Sequence, residues 1–544
     1  MTTETSTPSS RLLLWLVAIG FFMQTLDATI VNTALPAMAR SLGESPLRMQ
    51  AVVVSYALAM ATVIPATGWL ADRFGTRRVF MLAIVLFALG SGACAMSRTL
   101  TELTASRILQ GTGGAMLLPV GRLTVLRAFP REKFLEAMSF VAIPGLIGPL
   151  VGPTLGGWLV QYASWHWIFL INLPVAAVGL WTTLRFMPDF RGSDLTRFDL
   201  SGYVMLVVAM LAISIALDGV GSLGLQHAVV VALLMMGLAA LAAYWLHALR
   251  TPAPLFPPSL FKIQTFRVGL LGNLFARIGS GAMPYMIPLL MQLAMGYSPS
   301  HAGMLMLPMA LAGMGMKRVV TRIVVRLGYR RVLVFNTLAL GLMIASFALM
   351  TPSQPLWLRI LQLAAFGAVN SMQFTAMNTV TLKDLAPGHA SSGNSLMSMV
   401  QMLGMSLGVS VAAALLSTFS GWFGAVDAGP QAVSVFRGAL VTIGVLTMAS
   451  AAIFWQLADD SHRVPERADT ADPGQASRCA RRAARAKNYC FDSCQRWLQL
   501  RQSLIWLLAL SLNPAGPPAA HPPARAWRRC CRTASARGSP LALA

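Results

Sequence analysis

The chain has 544 residues, of which 56% are hydrophobic and only 11% are charged. A soluble protein needs about a quarter of its residues charged to cover its surface, so this composition excludes a soluble enzyme and indicates a surface that faces lipid. The net charge of +23 does not indicate a nucleic-acid partner. Outside a basic tail at residues 465–544, the basic residues lie in short loops between apolar runs, as the positive-inside rule requires.

Apolar runs of about 20 residues, the length that crosses a bilayer, recur along the chain. The first follows a short polar N-terminus, residues 1–11, that has no signal-peptide cleavage site, so we expect this run to remain as a span. The pattern predicts an all-α membrane protein with fourteen transmembrane helices. The predicted spans are 12–34, 50–71, 79–96, 102–127, 137–160, 165–187, 200–219, 227–249, 268–292, 300–324, 332–351, 356–381, 391–419 and 436–457.

The charges in the loops predict how these spans are oriented. Arginines crowd the loops between spans 2 and 3 and between spans 10 and 11. In contrast, the loops of opposite parity, at 220–226, 293–299 and 352–355, contain neither Lys nor Arg. Because positive loops stay inside, both termini are predicted to be cytoplasmic.

An internal repeat relates the two halves of the chain. GWLADRFGTRRV at 68–79 aligns without gaps with TRIVVRLGYRRV at 321–332, and repeated halves are common in transporters that work by alternating access. The repeat predicts two six-helix bundles separated by two additional helices. The predicted segments are a cytoplasmic N-terminus at 1–11, the first bundle at 12–190, two central helices at 200–249, a cytoplasmic linker at 250–267, the second bundle at 268–460 and the tail at 465–544.

The tail differs in composition from the rest of the chain. Arg, Ala, Pro and Cys crowd it without helical periodicity, and its one apolar run, 504–512, is too short to span a membrane. Three interpretations remain open: a disordered segment, a basic tail that binds anionic lipid, and translation in the wrong reading frame.

The loop GWLADRFGTRR at 68–78 combines small residues with opposed charges. We expect Gly68 to allow close helix packing and Gly75 to form a sharp turn. Asp72 is placed to meet a positive helix end or a basic partner when one gate is closed. This loop resembles the signature loop between the second and third helices of the major facilitator superfamily. The resemblance implies a gating role for Gly68, Asp72, Arg73, Gly75, Arg77 and Arg78.

Two charged residues lie well inside predicted spans of the first bundle. Asp27 is in span 1, in LDATIVNTALP, and Arg107 is in span 4, in RILQGTGGAM. The helical rise puts both about 8–10 Å from the outer ends of their spans, and an ion pair would lower the cost of burying each charge. RILQG resembles the superfamily's Arg-x-x-Gln-Gly motif, whose arginine is associated with proton coupling. The span 1 segment resembles that of the fourteen-helix drug:proton antiporters of the EmrB and QacA type.

Span 5 carries GLIGPLVGPTLGGWL, whose glycines recur on one helix face beside two prolines. Such a face predicts close contact with another helix and a bend that can gate, although generic packing of small residues would give a similar pattern. The spacing resembles the antiporter motif of exporters in the superfamily. The residues concerned are Gly145, Gly148, Pro149, Gly152, Pro153, Gly156 and Gly157.

The resemblance covers residues 10–460 and implies a proton-coupled exporter of small molecules in the bacterial inner membrane. It also implies a monomer that uses the proton gradient and needs no cofactor, metal or nucleic acid. The cargo remains open between hydrophobic drugs and a small organic anion or metal chelate. The second class is kept open because the charged residues in the spans include few acids, namely Asp27 and Asp218, against Arg107, Arg277 and Arg359.

Several polar residues in the spans have two possible roles, which are lining a central cavity and hydrogen bonding between helices. They are Gln24, Asn32, Gln110, Asn273, Asn370 and Gln373. A non-transporting sensor or an integral-membrane enzyme is the rival class of function. A sensor would need a folded soluble domain and an enzyme a His/Glu/Asp cluster at one depth, and the sequence indicates neither.

Overall fold

The computed structural model describes residues 8–129, 131–192, 197–221, 227–386, 389–423 and 430–457. The predictions about the tail at 465–544 and about residues 1–7 lie outside this described part. Within it the chain is helical and contains no β-strand, which confirms the all-α prediction.

Fourteen long helices correspond one by one to the predicted spans. The first begins at Pro8, so residues 8–11 of the predicted polar N-terminus are helical. The helices are α1 Pro8–Ile30, α2 Gln50–Phe74, α3 Thr76–Met96, α4 Leu100–Ala128, α5 Arg131–Tyr162, α6 in two pieces Trp167–Leu170 and Asn172–Phe186, α7 Leu200–Gly221, α8 His227–Arg250, α9 Gln264–Leu289, α10 Leu307–Leu327, α11 Tyr329–Ser346, α12 Leu356–Leu382, α13 Ala390–Phe423 and α14 Pro430–Ala449.

Eleven of these helices, counted over the described residues, are long and apolar enough to cross a membrane. The other three, α4, α5 and α12, are equally long; α4 and α12 carry buried charged and polar side chains, and α5 carries three prolines and a face of glycines. Each is packed against apolar neighbours: α4 against α2 and α3, α5 against α1, and α12 against α10. Their less apolar surfaces therefore lie against protein, where polar groups can find partners.

The two copies of the internal repeat fold alike. A single glycine separates α2 from α3 and α10 from α11, and both adopt a positive φ, +96° at Gly75 and +78° at Gly328. Their backbone N–H groups close the preceding helix, donating to Ala71 O at 3.0 Å and to Val324 O at 2.9 Å. Only glycine adopts this conformation without strain, which explains why both copies carry it.

The hydrophobic core differs between the two ends of the bundles. Near the predicted periplasmic ends, one continuous core joins Leu35 of the first bundle to Tyr285 and Met291 of the second. Nearer the predicted cytoplasmic ends, each bundle also has a core of its own, one around Phe80 and the other around Val324. A further core joins α2 of the first bundle to α9 and α13 of the second, together with α7 and α8. The bundles therefore meet at the predicted outer side and also, deeper in the molecule, along α2 and α13.

The additional helices α7 and α8 pack against each other, and α7 also contacts α2 and α13. The linker that follows α8 is held by Asp199, just before α7. Its carboxylate binds His247 Nε2 at 2.7 Å and accepts the backbone N–H of Leu255 at 3.2 Å. Burial alone would raise the pKa of Asp199, but hydrogen bonds from Gly202, His247 and Leu255 outweigh burial and lower it.

Candidate functional site

The ion pair between Asp27 and Arg107 is completely enclosed. Arg107 Nη1 lies 2.7 Å from Asp27 Oδ2, and the two residues are 1% and 0% exposed. The structure thus brings together the two charges that were placed at matching depth on α1 and α4. Removing two charges from water is expensive, and pairing with further hydrogen bonds is what offsets that cost.

The other oxygen of Asp27 is held by two amides. Gln110 Nε2 donates to Asp27 Oδ1 at 2.8 Å, and Asn172 Nδ2 donates to the same oxygen at 3.1 Å. Both amides also donate to Ser91 Oγ, at 3.1 and 3.0 Å. Among the described residues, each hydrogen-bond partner of the carboxylate is therefore a donor. This arrangement suits an ionised acid, whereas a protonated acid would need an acceptor for its O–H.

The guanidinium of Arg107 is fixed by α2 as well as by Asp27. Arg107 Nε donates to the carbonyl oxygen of Val52 at 3.2 Å, and Nη1 also donates to Gln110 Oε1 at 2.7 Å. The guanidinium carbon lies 4.0 Å from the ring centroid of Tyr56, a distance suited to cation–π attraction. Four helices, α1, α2, α4 and α6, thereby converge on one acid–base pair.

The loop between α2 and α3 is clamped within the first bundle. Asp72 Oδ1 pairs with Arg127 Nη2 at 2.5 Å, at the end of α4, and Asp72 O accepts the backbone N–H of Gly192 at 3.1 Å. Arg127 is therefore the basic partner of Asp72 in this conformation. In the second repeat, Val325 stands in the place of Asp72 and is exposed, so this pair has no counterpart there.

Some glycines and arginines of the loop are packed against other residues, and others face open space or are exposed. A Cβ on Gly75 would collide with the carboxylate of Asp189, which also accepts the backbone N–H of Arg77 at 3.2 Å. Arg73 and Arg78 are exposed. The expectation for Gly68 is wrong for this conformation, because a Cβ there would meet open space rather than another helix.

The glycine face of α5 packs directly on α1. A Cβ on Gly145 would meet Phe21, one on Gly148 would meet Thr25, and one on Gly152 would meet Thr29. Gly156 lies against Ile30 in the same way. The close contact expected from the spacing is present, while α5 runs as one uninterrupted helix through Pro149 and Pro153, so the expected bend does not break it.

The outer end of α5 also touches the second bundle. A short helix before α10, Pro299–Leu305, crosses it so closely that a Cβ on Gly157 would meet Pro299 O and one on Gly303 would meet Pro153 O. Thr154 Oγ1 donates to Gly303 O at 3.2 Å, and Ser300 Oγ donates to Gln161 Oε1 at 2.5 Å. These glycine contacts hold the bundles together at the predicted periplasmic side.

A central cavity of about 1130 Å³, partly open to solvent, lies between the two bundles. The first bundle contributes Thr29 and Asn32, and the second contributes Asn370, Phe374 and Arg277. The guanidinium carbon of Arg277 lies 4.7 Å from the Phe374 ring centroid. No acidic residue is among the described residues that line the cavity, so its only lining charge within that set is positive.

Asn32 and Asn370 thus lie where the sequence placed them, but the cavity prediction is corrected for four residues. Gln110 belongs to the Asp27 network. Asn273 Nδ2 donates to Thr381 Oγ1 at 3.3 Å, and Gln373 Oε1 accepts from Asn336 at 2.7 Å. Gln24 is buried away from the cavity wall. Gln110, Asn273 and Gln373 therefore have the alternative role, which is hydrogen bonding between helices, because the neighbouring helices place partners at hydrogen-bond distance.

Sequence reasoning missed Ser91, Asn172 and Tyr56, which complete the shell around the ion pair. A serine or an asparagine inside an apolar span was the available signal, but it does not show which way the side chain points. Arg359 has a structural role, since it donates to the carbonyl oxygens of Thr351 at 3.0 Å and Pro352 at 2.7 Å. The described residues contain no group of three or more His, Cys, Asp or Glu that could hold a metal.

Comparisons with known proteins agree with this architecture. The sequence profile of the Major Facilitator Superfamily matches residues 17–409. A protein of Serratia proteamaculans named "Putative multidrug resistance protein MdtD" is 57% identical over 414 residues, 76% of this chain and 87% of that protein. A protein of Escherichia coli with the same name is 50% identical over 457 residues, 84% of this chain and 96% of that protein.

A solved structure shows the same fold at low sequence identity. A POT family transporter crystallised in complex with 5-aminolevulinic acid superposes with a TM-score of 0.60 at 16% identity, covering 82% of this chain and 94% of that one. The profile match and the relatives, together with the helix arrangement, show that this chain is a multi-pass membrane protein that belongs to the major facilitator superfamily.

Proposed function

We propose that the protein exports small molecules, chiefly hydrophobic drugs, across the bacterial inner membrane in exchange for protons. In this proposal it is a monomer with both termini in the cytoplasm and no resident cofactor. Its six-helix bundles, near 12–190 and 268–460, rock around the central cavity, with the pair near 200–249 beside them. The enclosed Asp27–Arg107 pair is the main support for the proposal. Its carboxylate is buried among hydrogen-bond donors, which lose their charged acceptor when Asp27 takes up a proton. The relatives named as multidrug resistance proteins support the choice of cargo.

The coupling step follows from the hydrogen bonds of Asp27. A proton on Asp27 removes its charge and requires an acceptor, while Arg107, Gln110 and Asn172 all present donors. Protonation therefore destabilises the packed network seen here and favours a different arrangement of α1, α4 and α6. A difference in proton affinity between two conformations is what lets a proton gradient drive a change of conformation.

The direction of exchange follows from which side is closed. The bundles meet at the predicted periplasmic side, in the conformation whose network suits an ionised Asp27. An exporter that trades protons for cargo must release its proton inside before it takes up cargo there. For cargo to enter from the cytoplasm, this cycle therefore requires a conformation that is closed to the outside and in which Asp27 is unprotonated.

A second candidate cargo, a small organic anion or a metal chelate, is favoured by one observation. Arg277 faces the cavity over Phe374 and forms no ion pair within the described part of the chain. A cation without an acid beside it attracts negatively charged cargo electrostatically and repels lipophilic cations. The charge of the cargo is therefore the property that separates the two candidates.

Transport by everted membrane vesicles tests the proposal directly. Vesicles that contain the protein should accumulate labelled cargo when their interior is acidified, and collapse of the pH gradient should abolish accumulation. The panel should contain hydrophobic cations, neutral drugs, carboxylate anions and ferric chelates, with empty-vector vesicles as the control. Two outcomes would contradict proton-driven export. One is that no compound of the panel accumulates, and the other is that accumulation persists after the pH gradient is collapsed.

A further inference from the structure

A second cavity lies on the outside of the first bundle, apart from the central cavity and the ion pair. It opens between α1, α3 and α6, occupies about 720 Å³ and is partly open to its surroundings. The floor of the cavity consists of the buried side chains of Leu16, Met23, Phe80 and Phe87, and Leu117 of α4 lines its deepest part. Apart from Thr182, its described lining is apolar or glycine. We call this cavity the lateral groove.

The lateral groove faces the bilayer rather than the centre of the molecule. Its lips are formed by Leu12 and Trp15 of α1 and by Val178 of α6, which are exposed by 42%, 53% and 58%. The outer faces of α3 and α6 carry further exposed apolar side chains, including Leu82 and Trp181. In a protein that crosses a membrane, such surfaces are covered by lipid acyl chains.

The groove also has a polar end. On α3, Arg77 precedes Phe80 and Ile84 by three and seven residues, so it lies on the same helix face one turn nearer the predicted cytoplasm. On α6, Arg185 follows Thr182 by three residues and is exposed. The backbone carbonyl of Leu184 accepts a hydrogen bond from Arg77, which ties this arginine to the end of α6. Asp189, just beyond α6, accepts the backbone N–H of Arg77 at 3.2 Å and pairs with Arg191 at 3.6 Å. The apolar trough therefore ends at headgroup level beside three arginines and one carboxylate, which together carry a net positive charge.

We propose that the lateral groove binds one anionic phospholipid of the inner leaflet, with an acyl chain between α1, α3 and α6 and its phosphate near Arg77 and Arg185. The apolar trough matches the chain, and the basic end matches the headgroup. A neutral or cationic amphiphile matches the trough alone. Clusters of basic residues at the cytoplasmic surface attract anionic lipid in this way.

Photocrosslinking of the purified full-length protein in nanodiscs tests the site. The probe is phosphatidylglycerol with a diazirine in one acyl chain, compared with phosphatidylcholine that carries the same chain. We expect phosphatidylglycerol to label α1 and α6 along the groove in preference to the other lipid-facing helices. Labelling spread evenly over all of these helices would show an ordinary lipid annulus and overturn the proposal, as would equal labelling by the two lipids.

Gly179→Leu fills the groove, because a Cβ at this position meets only Ile84, at 3.7 Å, and has room to extend. This variant should lose most of the groove labelling. Gly315→Leu is the matched control, since a Cβ on that exposed glycine of α10 meets nothing within 4 Å. If Gly179→Leu does not elute as a single folded species, Thr182→Trp fills the same space. A filled groove that is still labelled at the native level would refute the site.

Arg185→Gln tests the headgroup separately. Loss of one basic residue at an anionic surface should weaken phosphatidylglycerol labelling about fivefold, while labelling by phosphatidylcholine stays unchanged. An equal effect on both lipids would overturn the assignment of the basic end. Displacement of the lipid probe by transported drugs but not by added phosphatidylglycerol would show that the groove takes cargo instead, and would contradict the lipid proposal.

Discussion

The two bundles bury polar groups in different ways. The first bundle encloses a charged pair, Asp27 and Arg107, inside a shell of amides. The buried side-chain network of the second bundle is made of neutral groups: Gln401 donates to Asn378 Oδ1 at 2.6 Å, and Gln373 donates to Thr337 Oγ1 at 2.7 Å. Two of its cations in the spans, Arg277 and Arg359, lie against a phenyl ring and backbone carbonyl groups. A neutral network fixes helices but does not titrate near neutral pH, whereas a carboxylate can change its charge. Under the proposed function, this difference puts the titrating group of the coupling step in the first bundle.

Removing one charge of the pair should have the largest effect. Arg107→Ala leaves Asp27 buried without its counter-charge, and breaking a buried pair in this way costs about 3–5 kcal/mol. We expect a large fall in the unfolding temperature in detergent and loss of transport. The double variant with Asp27→Asn should recover much of the stability, because no unpaired charge remains. Equal stability of Arg107→Ala and the native protein would contradict the description of the pair as enclosed.

Blocking the contact between the bundles should abolish transport while the protein stays folded. Gly303→Leu places a side chain against Pro153 O at the predicted periplasmic closure, so this side cannot close. We expect normal insertion, loss of efflux and increased reactivity of periplasmic-side cysteine probes. Gly315→Leu, where nothing lies within 4 Å, is the control and should transport normally. Normal efflux by Gly303→Leu would show that this contact is not part of the cycle.

A change in the neutral network should affect stability but not coupling. Gln373→Leu removes one hydrogen bond from Asn336 and one from Thr337, which keep their bonds to the carbonyl oxygens of Val369 and Leu333. A buried polar group that loses a partner costs about 1–3 kcal/mol. The unfolding temperature should fall, while the remaining transport keeps its full dependence on the pH gradient. If Gln373→Leu removed the dependence on the gradient, coupling would not be confined to the first bundle.

Much of the fold could be predicted from the sequence because hydropathy and loop charge report which residues lie in lipid and at what depth. The fourteen helices and the proximity of Asp27 to Arg107 follow from depth and period, and the turn at Gly75 follows from the position of a glycine in a short loop. The glycine spacing of α5 likewise indicated a packed face, because small residues at intervals of three or four lie on one side of a helix.

Rotation about the helix axis could not be predicted. Gln110 points at Asp27, and Gln373 points at Asn336, although both were equally placed to line the cavity. Asn172 lies in a segment dominated by aromatic residues. It donates a hydrogen bond to Asp27 only because α6 packs beside α1 and α3. Gly68 shows the opposite case, a small residue in a packing motif that meets open space. Which neighbour a polar side chain meets depends on tertiary packing, which one sequence does not encode locally.

The central claim is that protonation of Asp27 couples the gradient to export, and Asp27→Asn tests it. The amide is nearly isosteric and can accept a hydrogen bond from Arg107, but it leaves this guanidinium without a counter-charge, so we expect a lower unfolding temperature. The protein should still insert and exchange cargo across vesicles in the absence of a gradient. The measurement is the initial rate of cargo uptake into everted vesicles as the imposed pH difference is varied, with Asp218→Asn as the matched control. The account predicts a rate that rises with the pH difference in the native protein and in Asp218→Asn, and does not change with it in Asp27→Asn. Uptake by Asp27→Asn that rises with the gradient as in the native protein would contradict it.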